Sequence, residues 1–172
     1  MEPQLFLIRH GETEWSREGR HTGRTDIPLS AEGRLRAEAI GRVLRGRRLT
    51  VWTSPLERAR ETCRLAGFAD SAKVDDDLRE WDYGIYEGLT TPEIRRTDPG
   101  WSVWLSPIVG GESLEQVADR ARRVVGRALA AGDSAGRRTR PTPSATRALP
   151  SSVARPVVTA TGRALVVAVP CS

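Results

Sequence analysis

Short, continuous apolar runs along the chain predict buried strands. Leu5-Phe6-Leu7-Ile8 is such a run, and because it ends at Arg9-His10-Gly11, this strand would carry polar residues at its carboxyl end. Leu49–Thr53 predicts a second strand, and a weaker signal extends from Val74 to Leu78. The last apolar run, Ala164–Val169, fits either a strand or a helix.

The longer segments between these runs have helical periodicity. Ser30 opens a helix with one apolar face, whose members are Leu35, Ala39, Ile40, Val43 and Leu44. Ser54-Pro55-Leu56-Glu57 predicts a second helix with a capping box and a proline in its first turn. Thr91-Pro92 begins a short helix, and Ser113-Leu114-Glu115-Gln116 is another capping box, before a helix that Gly132 would end.

The alternation of strands and helices predicts βαβ units. The chain is therefore expected to form an α/β fold with a mainly parallel sheet covered by helices. In such sheets the ligand site lies beyond the carboxyl ends of the strands. Arg9-His10-Gly11, Ser54 and Glu80 fall at or just after those ends, so we expect them to lie close together.

Net charge divides the chain into two parts. The 172 residues have a formal net charge of +5, yet residues 1–132 hold 21 basic and 21 acidic side chains. The surplus lies in residues 133–172, which hold six arginines and a single acid, Asp133, and lack Glu, Lys, Ile, Phe, Tyr and Trp. We therefore predict one domain over 1–132, followed by a weakly structured Arg/Pro/Ala/Ser/Thr-rich tail over 133–172, with 164–169 as a remnant strand.

Composition also limits the setting in which the protein works. Two cysteines, Cys63 and Cys171, form no disulfide framework and indicate a reducing, cytoplasmic compartment. The first apolar run is too short for the core of a signal peptide, and no stretch reaches the ~18 apolar residues of a membrane span. Because the basic surplus is confined to the tail, we expect neither a membrane nor a nucleic acid as partner.

Five motifs in order connect the chain to a known family. They are Arg9-His10-Gly11-Glu12-Thr13-Glu14-Trp15, Thr22 to Ser30, Thr53-Ser54-Pro55-Leu56-Glu57-Arg58-Ala59, Leu78 to Gly88, and Gly110-Gly111-Glu112-Ser113. Taken together they resemble the histidine phosphatase superfamily, which includes cofactor-dependent phosphoglycerate mutase and many phosphatases. The resemblance covers about residues 4–132 and implies a three-layer αβα fold. It is closest to the sugar-phosphate phosphatases, sedoheptulose bisphosphatase among them.

The resemblance implies catalytic roles for four residues. A neutral imidazole is a competent nucleophile toward phosphorus near pH 7 without a metal ion, and His10 takes that role. Guanidinium groups stabilise the oxygens of a transferring phosphoryl group, and Arg9 and Arg58 are the matching positions. An alkoxide leaving group also needs an acid, for which the residues alone leave open Glu12, Glu80 and Glu87. The resemblance assigns Glu80.

Further positions match the family's substrate-binding residues. Besides Arg9 and Arg58, these are Ser16, Thr22, Gly23 and Glu112. Ser16 stands where the family usually has asparagine, and Gly23 would allow its backbone to approach the substrate. Ser113 is better explained as the cap of its helix.

Two other features are predicted to have no catalytic or metal-binding role. His21 matches no catalytic position and is predicted to lie at the rim of the pocket or on the surface. Asp75-Asp76-Asp77 is predicted to be a solvated turn, since consecutive acids on a strand point to opposite faces and do not share one ion. We expect no metal and no cofactor.

The chain departs from the family near its C-terminus. The family has a second histidine after a late strand, whereas this sequence contains only His10 and His21. We expect that the family's reading frame ends near Gly132 and that the remainder is truncated or frameshifted; a divergent C-terminus is the alternative. Without the late strand, the first strand would have an exposed edge.

Two placements of that late strand are open. If Val157-Val158-Thr159 forms it, Ala160 stands at the position of the histidine. If Ala164–Ala168 forms it, Val169 stands there instead.

These observations predict a metal-independent phosphatase that hydrolyses small phosphomonoesters, sugar phosphates among them, through a phosphohistidine on His10. An impaired or inactive phosphate-binding homologue is the alternative, because the second histidine is missing. A phosphoglycerate mutase is less favoured, since the chain has no room for the segment inserted in such mutases. Nucleic-acid binding by the tail is a third alternative, and the oligomeric state is left open.

Overall fold

The computed structural model describes residues 4–136 and 163–167, with side chains from residue 5 to residue 131. The strands within these ranges are β1, Gln4–Ile8; β2, Thr50–Thr53; β3, Ala72–Val74; and β4, Arg163–Val167. The helices are α1, Glu14–Glu18; α2, Ala31–Leu44; α3, Glu57–Leu65; α4, Thr91–Thr97; and α5, Leu114–Gly136. Single 3₁₀ turns form at Asp76–Leu78 and Gly84–Tyr86.

β4 lies in the middle of the described sheet. The strand order is β1-β4-β2-β3, and all three pairings are parallel. Gln4–Ile8 pairs in register with Arg163–Val167, which pairs on its other side with Thr50–Thr53. The expectation that β1 would have an exposed edge in place of the late strand is therefore wrong, because β4 pairs with that edge and lies between β1 and β2.

The position of β4 agrees with the second of the two predicted placements. It begins one residue before Ala164 and ends at Val167. The other placement, Val157-Val158-Thr159, lies outside the described residues, as do both candidate histidine positions, Ala160 and Val169.

Helices cover both faces of the sheet. On one face, Phe6 and Ile8 of β1 pack with buried residues of α2, β2 and α3. On the other, Leu5 and Trp52 pack against Ala128 of α5. Neighbouring residues of β1 thus contribute to opposite faces. This is the predicted three-layer α/β fold, and coverage on both faces explains why β1 is a continuous apolar run.

The buried face of α2 differs from the prediction. Gly33, Ala37 and Leu44 are buried, whereas Leu35 and Val43 are 59% and 48% exposed. A Cβ atom on Gly33 would collide with the backbone of the loop after β1, so the absence of a side chain lets α2 lie directly against that loop. Leu44 and Ile40 pack in the core as predicted, whereas near Gly33 close backbone packing takes the place of the predicted aliphatic contacts.

The start of α3 also differs from the prediction. The helix begins at Glu57, and its N-cap residue, Leu56, makes no side-chain capping bond, so the predicted capping box at Ser54 does not form. The N–H group of Glu57 donates instead to Oδ1 of Asp26, at 2.8 Å. A distant segment thus satisfies the helix terminus that a local cap was expected to satisfy.

Helix α5 begins as predicted but ends later. Ser113 N–H donates to Oε1 of Gln116, and Gln116 N–H donates to Oγ of Ser113, at 2.8 and 3.3 Å, which confirms the capping box. The helix continues through Gly132 to Gly136, so the predicted end at Gly132 is wrong. A glycine inside a helix is unfavourable by only about 1 kcal/mol, which neighbouring alanines offset. Residues 133–136 and 163–167 of the predicted tail therefore belong to the folded structure.

The acidic run 75–77 packs against α5. Arg127 binds the carboxylates of Asp75 and Asp77, both at 2.7 Å, and Arg123 binds Asp77 at 2.6 Å. These arginines lower the pKa of Asp77 to about 2. The predicted solvated turn is correct only for Asp76, whose side chain is 80% exposed. In the described ranges no group of histidine, cysteine or acidic side chains has the arrangement of a metal site.

A separate aromatic cluster lies beyond the carboxyl ends of the strands. Its buried members are Trp81, Tyr83, Ile94, Trp101, Ile108 and Val117. The ring of His21 lies 4.8 Å from that of Tyr83 and 5.1 Å from that of Trp101, and the residue is 4% exposed. The predicted rim or surface position of His21 is therefore wrong, because the histidine is part of this core.

Candidate active site

One buried hydroxyl connects the two main segments of the site. His10 and Gly11 follow β1, and the N–H group of Gly11 donates to Oγ1 of Thr62 on α3, at 2.9 Å. The same hydroxyl donates to the carbonyl of Arg58, at 2.7 Å. Thr62 thus joins the histidine loop to the helix that carries Arg58. Sequence reasoning missed Thr62, although it follows Arg58 by one helical turn.

His10 has one ring nitrogen bound to the backbone. Its Nδ1 lies 2.8 Å from the carbonyl oxygen of Gly11. A carbonyl only accepts hydrogen bonds, so Nδ1 carries the proton and Nε2 keeps its lone pair. Burial, followed by the positive charges of Arg58 and Arg9, lowers the pKa of His10 to about 4. At neutral pH the imidazole is therefore uncharged.

Arg58 is a buried cation held by one loop. Its side chain is 1% exposed, and its Nη atoms donate to the carbonyls of Thr25 at 2.9 Å, Gly23 at 2.7 Å and Thr22 at 3.2 Å. Its Nε is buried and has no partner among the described residues. Burial lowers the pKa of Arg58, opposed chiefly by the charge of Glu80.

Glu87 holds the same loop from its other side. Its Oε1 accepts the N–H groups of Gly23 at 3.0 Å and Thr25 at 2.7 Å. The loop therefore has its carbonyls bound by Arg58 and its N–H groups bound by Glu87. The Gly23 N–H group is engaged within the protein, so a substrate contact of Gly23 stays a prediction.

The two predicted hydroxyl ligands donate their protons to the backbone. Oγ of Ser16 donates to the carbonyl of Thr13 at 3.0 Å, within the capping box of α1. Oγ1 of Thr22 donates to the carbonyl of Arg20 at 3.0 Å. Each hydroxyl has a single proton, so in this arrangement both residues are left with acceptor capacity, which suits a substrate hydroxyl and not a phosphate oxygen.

The structure distinguishes the three carboxylates that sequence reasoning left open. Glu12 accepts a hydrogen bond from the hydroxyl of Ser30, at 2.8 Å, and Glu87 holds its loop. Among the described residues, the Glu80 carboxylate accepts a single hydrogen bond, from the N–H group of Trp81 at 2.9 Å. Burial raises the pKa of Glu80 against the opposing effects of that hydrogen bond and of the nearby arginines. Burial therefore favours the protonated form of Glu80, which a general acid requires.

Glu112 is bound by an arginine that sequence reasoning missed. Oε1 and Oε2 of Glu112 accept Nε and Nη2 of Arg120, both at 2.9 Å, and Oε2 also accepts the N–H group of Asp82 at 3.0 Å. These hydrogen bonds outweigh burial, so the pKa of Glu112 lies below its ordinary value. Arg120 is 7% exposed and follows the buried Val117 by three positions, a spacing that places it on the buried face of α5. Substrate binding by Glu112 stays a prediction.

The remaining charges favour His10 as the nucleophile. Arg9 is exposed whereas Arg58 is buried, and both act on His10 and on Glu80. Burial raises the pKa of the Cys63 thiol to about 11, so this second possible nucleophile keeps its proton at neutral pH. Of the two residues, only His10 is therefore in its nucleophilic protonation state at neutral pH.

Comparison with known proteins agrees with this geometry. A profile of the histidine phosphatase superfamily (branch 1) matches residues 5–136. The chain belongs to this superfamily. The match includes all five motifs, so the predicted family is confirmed, and the three-layer fold agrees with it.

Curated proteins with similar sequences carry phosphatase names or, like the probable phosphoglycerate mutase GpmB of Salmonella paratyphi A, which is 32% identical over 135 residues, a mutase name. The chain is 48% identical over 129 residues to an acid phosphatase of Mycobacterium tuberculosis, in an alignment that covers 73% of this chain and 63% of that protein. It is 36% identical over 149 residues to sedoheptulose 1,7-bisphosphatase of Saccharomyces cerevisiae, in an alignment that covers 73% of this chain and 55% of that protein. The chain thus spans less than two thirds of the length of these two histidine phosphatases.

Solved structures share the fold. The product of the open reading frame Rv3214 from Mycobacterium tuberculosis superposes with a TM-score of 0.75 at 38% identity, covering 96% of this chain and 73% of the other. TTHB049 from Thermus thermophilus superposes with a TM-score of 0.67 at 30% identity, and the superposition covers 96% of this chain and 77% of the other. Within the part that the structure describes, no helix combines the length and apolar character needed to cross a bilayer.

Proposed function

We propose that this histidine phosphatase hydrolyses phosphomonoesters through a phosphohistidine on His10. The observation that supports the proposal best is the neutral imidazole, with its Nε2 lone pair kept, beside the cations Arg9 and Arg58. Two guanidinium groups supply the positive charge that the transferring phosphoryl group needs, so the reaction requires no metal ion. Arg58 offers its buried Nε for this purpose, because its other nitrogens are bound to the loop.

In the first step, Nε2 of His10 attacks phosphorus as the bond to the ester oxygen breaks. Glu80 donates its proton to the departing oxygen, which leaves as an alcohol. In the second step, the Glu80 carboxylate takes a proton from water, and the resulting hydroxide attacks phosphorus. The P–N bond breaks, inorganic phosphate leaves, and both His10 and Glu80 return to their starting states.

The test is phosphate release from p-nitrophenyl phosphate and from sugar phosphates, in the presence of EDTA, by the full chain and by His10→Ala. We expect release that EDTA does not affect and that His10→Ala abolishes. Brief mixing with ³²P-labelled substrate should leave an acid-labile label on the wild type and none on the variant. Equal rates for the two proteins would exclude His10 as the nucleophile, and loss of activity in EDTA would exclude the metal-free reaction.

A phosphate-binding protein with impaired catalysis is the second candidate. The sequence has only two histidines, and His21 belongs to the aromatic core, so it does not replace the second family histidine. Losing one preorganised contact to the phosphoryl group would reduce the rate by about 10²–10³-fold. Tight binding of vanadate together with very slow phosphate release would favour this candidate.

The substrate is proposed to be a small phosphomonoester. The names of two of the curated relatives, the acid phosphatase and the sedoheptulose 1,7-bisphosphatase, support this class, and the resemblance of the segment around Glu80 to sugar-bisphosphate phosphatases favours sugar phosphates within it. A cytoplasmic location stays a prediction from the two cysteines, and the absence of a nucleic-acid partner stays a prediction from the charge distribution.

A further inference from the structure

A buried ion pair lies beside the segment that carries Glu80. Arg120 and Glu112 form two parallel hydrogen bonds of 2.9 Å, and their side chains are 9% and 20% exposed. Two planar groups paired in this way have a fixed mutual orientation. The pair belongs to α5 and to the loop before it, and neither residue follows a strand.

Each member of the pair holds one side of the segment. Before Glu80, Nη1 of Arg120 donates to the carbonyls of Arg79 at 2.5 Å and Asp77 at 3.1 Å. After Glu80, Glu112 accepts the N–H group of Asp82 at 3.0 Å and donates its own N–H group to the carbonyl of Asp82, also at 3.0 Å.

The indole of Trp81 completes the attachment. Its Nε1 donates to the carbonyl of Glu112, at 2.8 Å. Arg79, Trp81 and Asp82 are thus all bound to the pair, and Glu80 is the residue between them. The side chain of Glu80 has one hydrogen bond in the described structure, to the adjacent N–H group of Trp81. The position of its carboxyl group therefore depends on the position of this backbone.

A general acid is sensitive to position. It must lie within about 2.6–3.2 Å of the leaving oxygen, and a displacement of about 1 Å can reduce a rate about 10²-fold. Protonation matters most when the leaving group is a poor one. An alkoxide needs the proton, whereas a dinitrophenolate leaves without it.

We propose that Arg120 and Glu112 are positioning residues that hold Glu80 at the leaving oxygen, so that they act on leaving-group protonation and not on phosphate binding. This inference rests on the proposed function, because it takes Glu80 to be the acid. It also gives Glu112 a different role from the predicted substrate contact.

The experiment compares two substrates, glycerol 2-phosphate with an alkoxide leaving group and 2,4-dinitrophenyl phosphate with a good one. For Arg120→Met we expect kcat/KM to fall about 10²-fold for the first and less than about threefold for the second. Glu80→Gln should show the same selectivity to a larger degree. Glu112→Gln, which keeps an acceptor but loses the charge, should show it to a smaller degree.

Arg123→Met is the matched control. Arg123 lies on the same helix and binds Asp77, but it makes no hydrogen bond to residues 79–82. We expect this variant to change kcat/KM for both substrates by the same small factor. If Arg120→Met does not fold, Arg120→Lys replaces it, because a lysine keeps the charge but not the paired hydrogen bonds.

The outcomes separate the two levels of the proposal. Suppose that Glu80→Gln loses activity selectively toward the alkyl ester, but that the Arg120 variants lower kcat/KM equally for both substrates, or no more than Arg123→Met does. The positioning role is then overturned, and the proposed function stands. If Glu80→Gln shows no selectivity, or the wild type hydrolyses neither substrate, the proposed mechanism itself is overturned. Selective loss in both Glu80→Gln and Arg120→Met supports both.

Discussion

Burial shifts the pKa values of His10 and Glu80 in opposite directions. Removing either group from water disfavours its charged form, so the pKa of the imidazole falls to about 4 and that of the carboxyl group rises. The two shifts produce one pH range in which the histidine has lost its proton and the acid still holds one. This is the protonation state that the proposed first step requires.

We predict a bell-shaped pH profile of activity from these two shifts. As pH falls through about 4, His10 gains a proton and kcat/KM should fall. As pH rises through the raised pKa of Glu80, the acid is lost and kcat/KM for an alkyl phosphate should fall again. The measurement is the pH profile of kcat/KM for glycerol 2-phosphate.

Glu80→Gln is the control for this profile. Ionisation of the substrate is the same for both enzymes, so the ratio of wild type to variant isolates the titration of Glu80. That ratio should decrease as pH rises. The pKa of His10 is measured separately by NMR titration of its imidazole in the free protein, and a value near 6.5, the ordinary pKa of histidine, would contradict the effect of burial on His10.

At this scale the motifs located the charged residues but not their partners. His10, Arg58 and Glu80 are identified from sequence because their neighbours form recognisable strings. Thr62 and Arg120 were not identified from the sequence, because each acts through hydrogen bonds to residues that are distant along the chain. A threonine and an arginine on helices are too common to predict such contacts.

The loop 22–25 is the element on which the position of Arg58 depends. Arg58 and Glu87 bind it from opposite sides, one through its carbonyls and the other through its N–H groups. A loop held in this way presents the buried cation in one orientation. Its integrity should therefore affect both stability and catalysis.

We predict that Glu87→Ala is destabilising and that Glu87→Gln is much less so. Alanine leaves the buried N–H group of Gly23 without a partner, at a cost of about 1–3 kcal/mol, whereas the amide oxygen of glutamine still accepts the bond. Urea unfolding gives the stability, and kcat/KM for p-nitrophenyl phosphate gives the effect on Arg58. Equal destabilisation by the two variants would show that charge, and not the hydrogen bonds, matters at this position.

Element boundaries were predictable where the signal was local. The capping box of α5 lies within four consecutive residues and was found, whereas α3 begins where Asp26, a residue of another segment, binds its terminus. Part of the buried face of α2 was missed for a related reason. Gly33 lets the helix approach a loop backbone, and a rule based on aliphatic side chains does not detect a contact that needs no side chain.

For the molecule as a whole, the arrangement of the sheet gives its last described strand a central place. Val166 pairs with Leu7 of β1 and with Trp52 of β2, so β4 joins the two strands that precede the histidine and Ser54. Composition had marked residues 133–172 as a tail. The apolar run 164–169 within that tail was predicted as a remnant strand, and β4 agrees with this prediction over Ala164–Val167, the four residues that pair on both sides.

We predict that Val166→Pro abolishes cooperative unfolding of the whole chain. Proline removes a backbone donor and is not accommodated in a central strand. Val158→Pro, in the other predicted placement, is the matched comparison, and the pairing of β4 requires Val166→Pro to be the more damaging of the two. Thermal unfolding followed by near-UV circular dichroism measures both, and greater damage from Val158→Pro would contradict the position of β4.

The central place of β4 also determines when the protein can fold during synthesis. β1 and β2 are the first two strands to leave the ribosome, but the strand that lies between them in the sheet is made about a hundred residues later. At about 5–20 residues per second, this delay is on the order of 5–20 s. For that time β1 has no partner among the described strands and β2 is paired only with β3, so the sheet that carries the site around His10 is complete only after β4 has been made.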